Sequence, residues 1–240
     1  MEKLKGKKVV VLGGSSGMGF ATAKAAANAG AEIIIVSGNQ QRINKALAEL
    51  PAGSTGVAVD LTIEEKISEL FATLGQFDHL VFTAGEALQI NAIADLDIAD
   101  AKQFFNLRYW GAFTAVKYAA PHIKPGGSIT LTSGCASLRP GKGWSLMASI
   151  CAAMEGFTRA LAIELAPIRV NVVTPGLVRT GLWDNMESQE RENMYAHFNG
   201  ELPARYVAGP EDIAETYLYL MQQKYSTGQA VVADGGYVLI

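Results

Sequence analysis

The chain has 240 residues, of which 49 % are hydrophobic and 18 % are charged. Its 20 basic and 23 acidic side chains give a net charge of -3 and lie scattered along the sequence. This composition excludes a disordered chain, and the absence of a basic patch argues against a nucleic-acid partner. The length is typical of one α/β domain, so we expect residues 1–240 to form a single domain.

The cysteines and histidines indicate the compartment and argue against a metal site. Cys135 and Cys151 have no CxxC partner, and a chain of this size does not need disulfides, so we expect a reducing, cytoplasmic location. No stretch approaches the roughly 18 apolar residues of a membrane span, so no membrane partner is expected. The three histidines lack metal-ligand spacing: His79, His122 and His197.

Short runs rich in β-branched residues alternate with longer stretches of helical period, which predicts βαβ units. The expected strands are Val9–Leu12, Ile33–Val36, Val57–Asp60, His79–Phe82, Ser128–Thr132, Val170–Val173 and Ala230–Val232. The expected helices are Gly19–Gly30, Gln40–Leu50, Ile63–Leu74, Ile98–Ala120, Ser145–Ala166 and Glu211–Gln223. This order predicts an α/β Rossmann fold, a doubly wound seven-stranded parallel sheet with helices on both faces.

One region, residues 176–209, is irregular and lies between the sixth strand and the last helix. It contains Trp183, Tyr195, His197 and Phe198 among polar residues. Long loops at the carboxyl edge of such a sheet are often functional. We interpret 176–209 as a substrate lid, and the alternative is a peripheral insertion that packs on its own apolar residues.

A glycine-rich loop, Gly13-Gly14-Ser15-Ser16-Gly17-Met18-Gly19, follows the first strand and precedes an alanine-rich helix. Glycine allows the backbone to turn tightly and approach a pyrophosphate, which then lies at the positive end of the helix. A glycine cluster alone is weak evidence, but its position between a strand and a helix favours a dinucleotide loop.

From this loop onward the sequence resembles the short-chain dehydrogenase/reductase family nearly end to end. The family's TGxxxGxG pattern appears with Leu12 in place of threonine, and Phe82-Thr83-Ala84-Gly85 resembles its NNAG motif. The resemblance implies an oxidoreductase that uses NAD(P)(H) and a small carbonyl- or alcohol-type substrate. Together with the polar residues at the end of the second strand, it predicts these cofactor-binding residues: Gly13, Ser15, Ser16, Gly17, Met18, Gly19, Ser37, Asn39, Arg42, Asp60, Leu61, Ala84, Gly85, Pro175, Gly176, Val178 and Thr180.

The end of the second strand bears on which dinucleotide is bound. Members that bind NAD place a carboxylate there, on the ribose 2′-hydroxyl. The segment Ser37-Gly38-Asn39-Gln40-Gln41-Arg42 contains no acid, and Arg42 would suit a 2′-phosphate. We therefore expect NADP(H) to be preferred, with NAD(H) possible, although Arg42 in the alternative reading is an ordinary solvated helix residue.

The resemblance breaks at the family's catalytic tetrad. Asn106 matches the helix asparagine, but ungapped alignment places Gly134 at the serine, Met147 at the tyrosine and Cys151 at the lysine. Methionine has no proton to give, and a thiol carries no positive charge. Loss of general acid catalysis costs roughly 10²–10⁴ in rate, so reduction of an unpolarised ketone should be slow.

Several residues are weaker candidates to replace the missing acid. Ser133 precedes the lost serine, but neighbouring strand residues point to opposite faces. Tyr109 lies one turn after Asn106, and the lid residues Tyr195 and His197 could act from above. In the alternative reading each is an ordinary packing or loop residue, and Cys151 is a small buried hydrophobe.

Two hypotheses of function remain at this point: an NADP(H)-dependent oxidoreductase with a non-standard active site, and a catalytically impaired NADP-binding protein with a sensing or assembly role. A third hypothesis is a reaction without hydride transfer, as in halohydrin-dehalogenating relatives. It fits poorly because those relatives lose the nucleotide loop, which is intact here.

The sequence also predicts a homo-oligomer, specifically a tetramer. The prediction rests on the apolar faces of Ile98–Ala120 and Ser145–Ala166 and on the apolar ending Tyr237–Ile240.

Overall fold

The computed structural model describes residues 4–88 and 90–240 and forms an α/β Rossmann-like domain. One parallel sheet runs in the order β3-β2-β1-β4-β5-β6-β7. Its strands are β1 (Lys8–Leu12), β2 (Glu32–Ser37), β3 (Thr55–Ala58), β4 (Phe77–Phe82), β5 (Ile123–Thr132), β6 (Arg169–Pro175) and β7 (Ala230–Ala233). The predicted fold class and seven-stranded parallel sheet are confirmed.

The helices connect successive strands. They are α1 (Gly17–Asn28), α2 (Gln40–Glu49), α3 (Glu64–Leu74), α4 (Ile98–Phe105), α5 (Ala112–Ala119), α6 (Ser145–Glu164), α7 (Ser188–Glu201) and α8 (Pro210–Gln222). Strand β1 neighbours both β2 and β4, so the winding direction reverses at β1. A crevice for ligands forms outside the carboxyl ends of the strands at such a reversal.

The central strands are apolar on both faces, as a sheet covered by two helical layers requires. Alternate residues of β1 face opposite layers. Val10 and Leu12 belong to the core that contains residues of α3, α5 and α6. Val9 and Val11 belong to the core that contains residues of α1 and α8. The doubly covered sheet therefore explains why the strands read as continuous apolar runs rather than alternating ones.

Two helical features differ from the sequence prediction. Helix α7 lies inside the region predicted as irregular, and the carboxylate of Glu187 accepts hydrogen bonds from the N–H groups of Gln189 and Glu190 at its start. Its apolar residues follow no clear helical stripe, which is why periodicity missed it. The predicted helix Ile98–Ala120 is interrupted by a π-helical turn at Asn106–Gly111, a feature often found at functional sites.

Helix α6 corrects one sequence expectation. By length and composition α6 could cross a membrane, so the expectation that no stretch is this long and apolar was wrong. Leu146, Ile150, Met154 and Leu161 on this helix are buried in the same core as the sheet. Core helices of globular proteins pass the same test of length and composition.

Candidate active site

The loop after β1 has a backbone geometry that only glycine fits. Gly13 has a φ of +88°, and a Cβ there would lie 2.5 Å from the backbone nitrogen of Ala84. A Cβ on Gly19 would lie 2.3 Å from both the carbonyl oxygen of Gly13 and the Oγ1 of Thr83. The first turn of α1 therefore approaches β1 and β4 closely, and its free N–H groups stay accessible to an anion.

A groove with a volume of about 680 Å³ runs from this loop across the carboxyl ends of β1, β2 and β3. Fourteen of the residues predicted to bind a cofactor line it: Gly13, Ser15, Ser16, Gly17, Met18, Gly19, Ser37, Asn39, Arg42, Asp60, Leu61, Ala84, Gly85 and Thr180. The remaining three, Pro175, Gly176 and Val178, line the cavity next to it. The structure thus brings the predicted residues together along one continuous surface.

Two polar positions define the far end of the groove. The hydroxyl groups of Ser15 and Ser37 are 2.8 Å apart and hydrogen-bonded. The hydroxyl and N–H of Thr62 donate to the Asp60 carboxylate at 2.6 and 2.9 Å, and these hydrogen bonds lower the pKa of Asp60. Asp60 therefore presents an ionised acceptor in the groove at neutral pH.

The groove opens into an apolar cavity of about 230 Å³ at the carboxyl ends of β4, β5 and β6. Met18, Thr83, Ala84, Gly85, Thr180 and Leu182 line both spaces. Residues between β6 and α8 cover the cavity, among them Trp183, Met186, Met194 and Phe198. The two spaces are continuous at the point where a dinucleotide and a second molecule would meet.

The three substituted tetrad positions lie together in this cavity. Gly134, Met147 and Cys151 all line it, and a Cβ on Gly134 would lie 3.3 Å from the sulfur of Cys151. Burial raises the pKa of the Cys151 thiol to about 11, so the thiol is neutral at pH 7. The side chains at these three positions thus provide neither a cation nor an efficient acid.

Ser133 also lines the cavity, although alternation along β5 argued against it. Strand β5 ends at Thr132, so the alternation no longer applies at Ser133. The Ser133 hydroxyl lies 3.1 Å from both the Cys151 carbonyl oxygen and Glu155 Oε1, which accept its hydrogen bond. Because its proton is directed at α6, Ser133 is poorly placed to donate to a ligand.

The structure corrects the position predicted for Asn106. Asn106 is exposed, and its Nδ2 donates to Gln103 Oε1 at 3.0 Å on the outer surface. Arg108, two residues later, lines the cavity instead. Asn106 and Arg108 lie two residues apart in the π-helical turn, which is roughly half a turn, so these two side chains face opposite ways. The chain therefore presents an arginine, not an asparagine, to the cavity from this helix.

The other proposed substitutes for the acid lie outside the cavity. Tyr109 packs in an aromatic cluster, with its ring centroid 5.9 Å from that of Phe157. Tyr195 is 3 % exposed and lies under the Arg179 guanidinium. His197 contacts Phe198 edge to face. None of these three candidates is among the described residues that line the cavity.

The sequence analysis missed Arg108 and Tyr237, whose ionisable side chains line the cavity. Arg139 lies over the Tyr237 ring and donates to its carbonyl oxygen at 2.6 Å, and burial raises the pKa of the phenol. The only sequence signal for Arg108 is a single cation within an otherwise aromatic run, which does not by itself indicate the face it occupies.

Comparisons with known proteins agree with this architecture. A family model described as enoyl-(acyl carrier protein) reductase matches residues 13–238. The short-chain dehydrogenase/reductase fsr5 of Gibberella fujikuroi is 32 % identical over 257 residues, covering 100 % of this chain and 97 % of the relative. The short-chain dehydrogenase/reductase ucsE of an Acremonium species is 35 % identical over 257 residues, covering 98 % and 96 %.

Solved structures show the same similarity. A small-chain dehydrogenase in complex with NADPH is 36 % identical, with a TM-score of 0.88 and coverage of 98 % of this chain and 99 % of the other. The MalC reductase/Diels-Alderase from Malbranchea aurantiaca is 30 % identical, with a TM-score of 0.91 and coverage of 100 % and 99 %. Since the family model and these curated relatives match nearly the whole chain, the protein belongs to the short-chain dehydrogenase/reductase family of oxidoreductases.

Proposed function

We propose that this protein is an NADP(H)-dependent oxidoreductase with a non-standard active site, which transfers hydride to or from a small, largely apolar substrate of the carbonyl or alcohol type. The continuity between the groove and the apolar cavity carries this proposal. Gly85 and Thr180 line both spaces, so a nicotinamide ring at the end of the groove would face a substrate in the cavity. A small-chain dehydrogenase structure that is 36 % identical contains NADPH.

The groove residues fit a dinucleotide. The close approach at Gly13 and Gly19 leaves room for a pyrophosphate against the first turn of α1, where backbone N–H groups and the helix dipole favour negative charge. Asp60 would accept a hydrogen bond from the adenine, and Arg42 would bind the 2′-phosphate. When bound, the nicotinamide supplies the hydride, and the chain supplies its orientation and a dry, apolar surrounding.

We further propose that residues 176–209 act as a lid over the substrate. Leu182, Trp183 and Phe198 line the cavity from this segment. Trp183, Tyr195, Leu202 and Val207 also form a small apolar cluster of their own, as the peripheral-insertion reading requires. The lid reading accounts for both observations, because a lid that excludes water needs an internal core and an apolar inner surface.

The alternative is a catalytically impaired NADP-binding protein with a sensing or assembly role. It is favoured by the joint replacement of the serine, tyrosine and lysine by Gly134, Met147 and Cys151.

A measurement of NADPH consumption distinguishes the two proposed functions. We expect NADPH consumption by the folded protein with one class in a panel of apolar aldehydes, ketones, enones and imines, and none from Gly19→Val, whose side chain would overlap Gly13. NADPH binding without consumption across the panel would favour the alternative.

We propose that the protein assembles as a homotetramer, since exposed apolar residues lie on the helices predicted to pair. We also propose a cytoplasmic location, because both cysteines are free, as is usual in a reducing compartment. Trp110 is 54 % exposed and Ile163 on α6 is 83 % exposed, while Leu239 near the end of the chain is 80 % exposed. Single large apolar residues on a surface are common, but residues grouped on paired helices indicate an interface.

Light scattering is expected to show four copies of the 25.5 kDa chain at micromolar concentration. Deletion of Val238–Ile240 should shift the assembly toward dimers. A Lys142→Ala control, at an exposed loop position, should leave the mass unchanged. A monomer under these conditions would contradict the proposal.

A further inference from the structure

The guanidinium of Arg108 lies at the junction of the groove and the cavity. A Cβ on Gly85, which lines both spaces, would stand 2.8 Å from the Arg108 Cζ. The guanidinium also lies 4.8 Å from the centre of the Phe104 ring and donates through Nη2 to the carbonyl oxygen of Glu86. Arg108 lines the cavity and not the groove, so a molecule in the cavity would contact it.

The hydrogen bonding of this arginine is incomplete. Arg108 Nε and Glu86 Oε2 are both buried and neither has a hydrogen-bond partner. They are 3.7 Å apart, an ion pair but too long for a hydrogen bond. Burial lowers the pKa of Arg108 and raises that of Glu86, yet a guanidinium keeps its proton in proteins. A buried charge with an unused donor gains free energy when an oxygen of a ligand completes its hydrogen bonds.

Arg108 is also the one charged side chain among the described residues that line the cavity. The cavity lining also includes the apolar side chains of Met147, Ile150 and Trp144. The cavity therefore suits a substrate with an apolar body and, at one end, an oxygen that is negatively charged or gains negative charge during the reaction. A cationic substrate would be repelled, because a charge interaction in such a dry site is weakly screened.

We propose that Arg108 binds the carbonyl oxygen of a neutral, conjugated carbonyl substrate and stabilises the enolate that forms during reduction; this rests on the proposed hydride transfer. The hydride adds to the carbon β to the carbonyl and NADPH becomes NADP⁺. The C=C electron pair shifts to join the α carbon to the carbonyl carbon, and the carbonyl π pair moves onto the oxygen beside Arg108. A proton from water that enters from the solvent then adds to the α carbon, the oxygen electron pair re-forms the C=O bond, and the hydroxide left behind returns to the solvent.

This reaction suits a site without a catalytic acid. A simple ketone yields an alkoxide, a strong base that needs a proton during the transfer, and Met147 has none to give. An enolate spreads its charge and is a much weaker base, so a fixed cation at the developing charge is sufficient stabilisation. Arg108 thus becomes a catalytic residue for the reduction of conjugated carbonyl compounds.

The test compares two acceptors with the NADPH-loaded protein: benzylideneacetone, a neutral enone, and an N-methyl-dihydroisoquinolinium ion, a cationic imine. Arg108→Met is combined with Glu86→Gln so that no carboxylate is left buried without its partner. The double variant should lose at least tenfold in kcat/KM for benzylideneacetone and lose nothing for the cation. Equal activity of wild type and double variant on the enone would overturn the proposal, as would an equal loss on both acceptors.

A binding measurement provides a readout independent of turnover. By calorimetry, cinnamate should bind the wild type at least tenfold more tightly than it binds the double variant, while neutral cinnamyl alcohol should bind both alike. Arg108→Lys should recover part of the cinnamate affinity. Unchanged NADPH affinity and melting temperature would show that the variant folds. A wild type that consumes no NADPH with any acceptor of the panel would contradict the reductase function, whereas one that reduces other acceptors but not benzylideneacetone would overturn the enone proposal alone. A cinnamate affinity that does not depend on Arg108 would overturn its oxygen-binding role separately.

Discussion

In a Glu86→Gln background, which leaves no carboxylate unpaired, reduction of a simple ketone such as benzylacetone is expected to rise by roughly 10²–10⁴ when Arg108→Asn, Gly134→Ser, Met147→Tyr and Cys151→Lys are combined. These positions line one cavity, and residues 147 and 151 share a face of α6 because they are four apart. The introduced phenol would supply the proton, and the introduced ammonium group would lower its pKa. The four residues act as a unit, so each single variant should change the rate little.

The arginine must be replaced together with the other three residues. Arg108 interacts electrostatically with position 151, where it lowers the pKa of the Cys151 thiol against the larger effect of burial. An ammonium group introduced there would face the guanidinium and be destabilised. The triple variant that keeps Arg108 should therefore gain less on ketones than the quadruple variant. The quadruple variant should also lose activity on benzylideneacetone, the opposite of its gain on benzylacetone.

Ser149→Ala provides a matched control, since Ser149 is exposed on the same helix and its hydroxyl donates to the Ser145 carbonyl oxygen. Its rate on both acceptors should equal that of the wild type. Stopped-flow measurement of NADPH absorbance gives all of these rates. About 10 s⁻¹ is an ordinary turnover rate for an enzyme. If the wild type reduced benzylacetone at that rate, the cavity would already contain an efficient acid and the prediction would be wrong.

NADPH is expected to bind at least tenfold more tightly than NADH, about 1.4 kcal/mol. No acid lies between Ser37 and Arg42 to repel a 2′-phosphate, and both Asn39 and Arg42 line the groove. Gly38→Asp should reverse the order, because a carboxylate there would repel the phosphate and accept from a free 2′-hydroxyl. The nearest atom to a Cβ on Gly38 is the Val59 carbonyl oxygen at 3.8 Å, so the side chain has room.

Two further variants separate charge from shape. Gly38→Ala should leave the preference unchanged, since it adds a methyl group and no charge. Arg42→Met should weaken NADPH binding and leave NADH binding unaltered if the guanidinium meets the 2′-phosphate. Isothermal calorimetry measures each affinity directly. NADH binding tenfold tighter than NADPH would show that the prediction of cofactor preference is wrong, and an Arg42→Met variant with wild-type NADPH affinity would identify Arg42 as a solvated helix residue.

The sequence predicts the parts of this molecule that local patterns determine. The strands are apolar because both faces of the sheet are covered, and the loop at Gly13–Gly19 follows from a backbone geometry that excludes a Cβ. The alignment that places Gly134, Met147 and Cys151 at one site rests on chain spacing, and all three line the cavity. These features need no knowledge of contacts between distant segments.

The missed features depend on tertiary contacts. Asn106 and Arg108 both lie in the π-helical turn at Asn106–Gly111, which a pattern with a 3.6-residue period does not detect. Arg108 meets Gly85 and Glu86, more than 20 residues earlier in the chain, as the hydrogen bond across 22 positions shows. Helix α7 forms without an apolar stripe, so its position against the cavity follows from the cluster around Trp183 rather than from its own sequence.

A single-turnover isotope experiment tests hydride transfer directly. The protein is loaded with NADPH carrying deuterium at the nicotinamide carbon that donates hydride and is mixed with excess benzylideneacetone, and the product is analysed by mass spectrometry. We predict one deuterium at the carbon β to the carbonyl with the wild type, and none with Gly19→Val. Tight NADPH binding with no deuterium in benzylideneacetone, or in any aldehyde, ketone or imine of the panel, would contradict the assignment of this protein as a reductase.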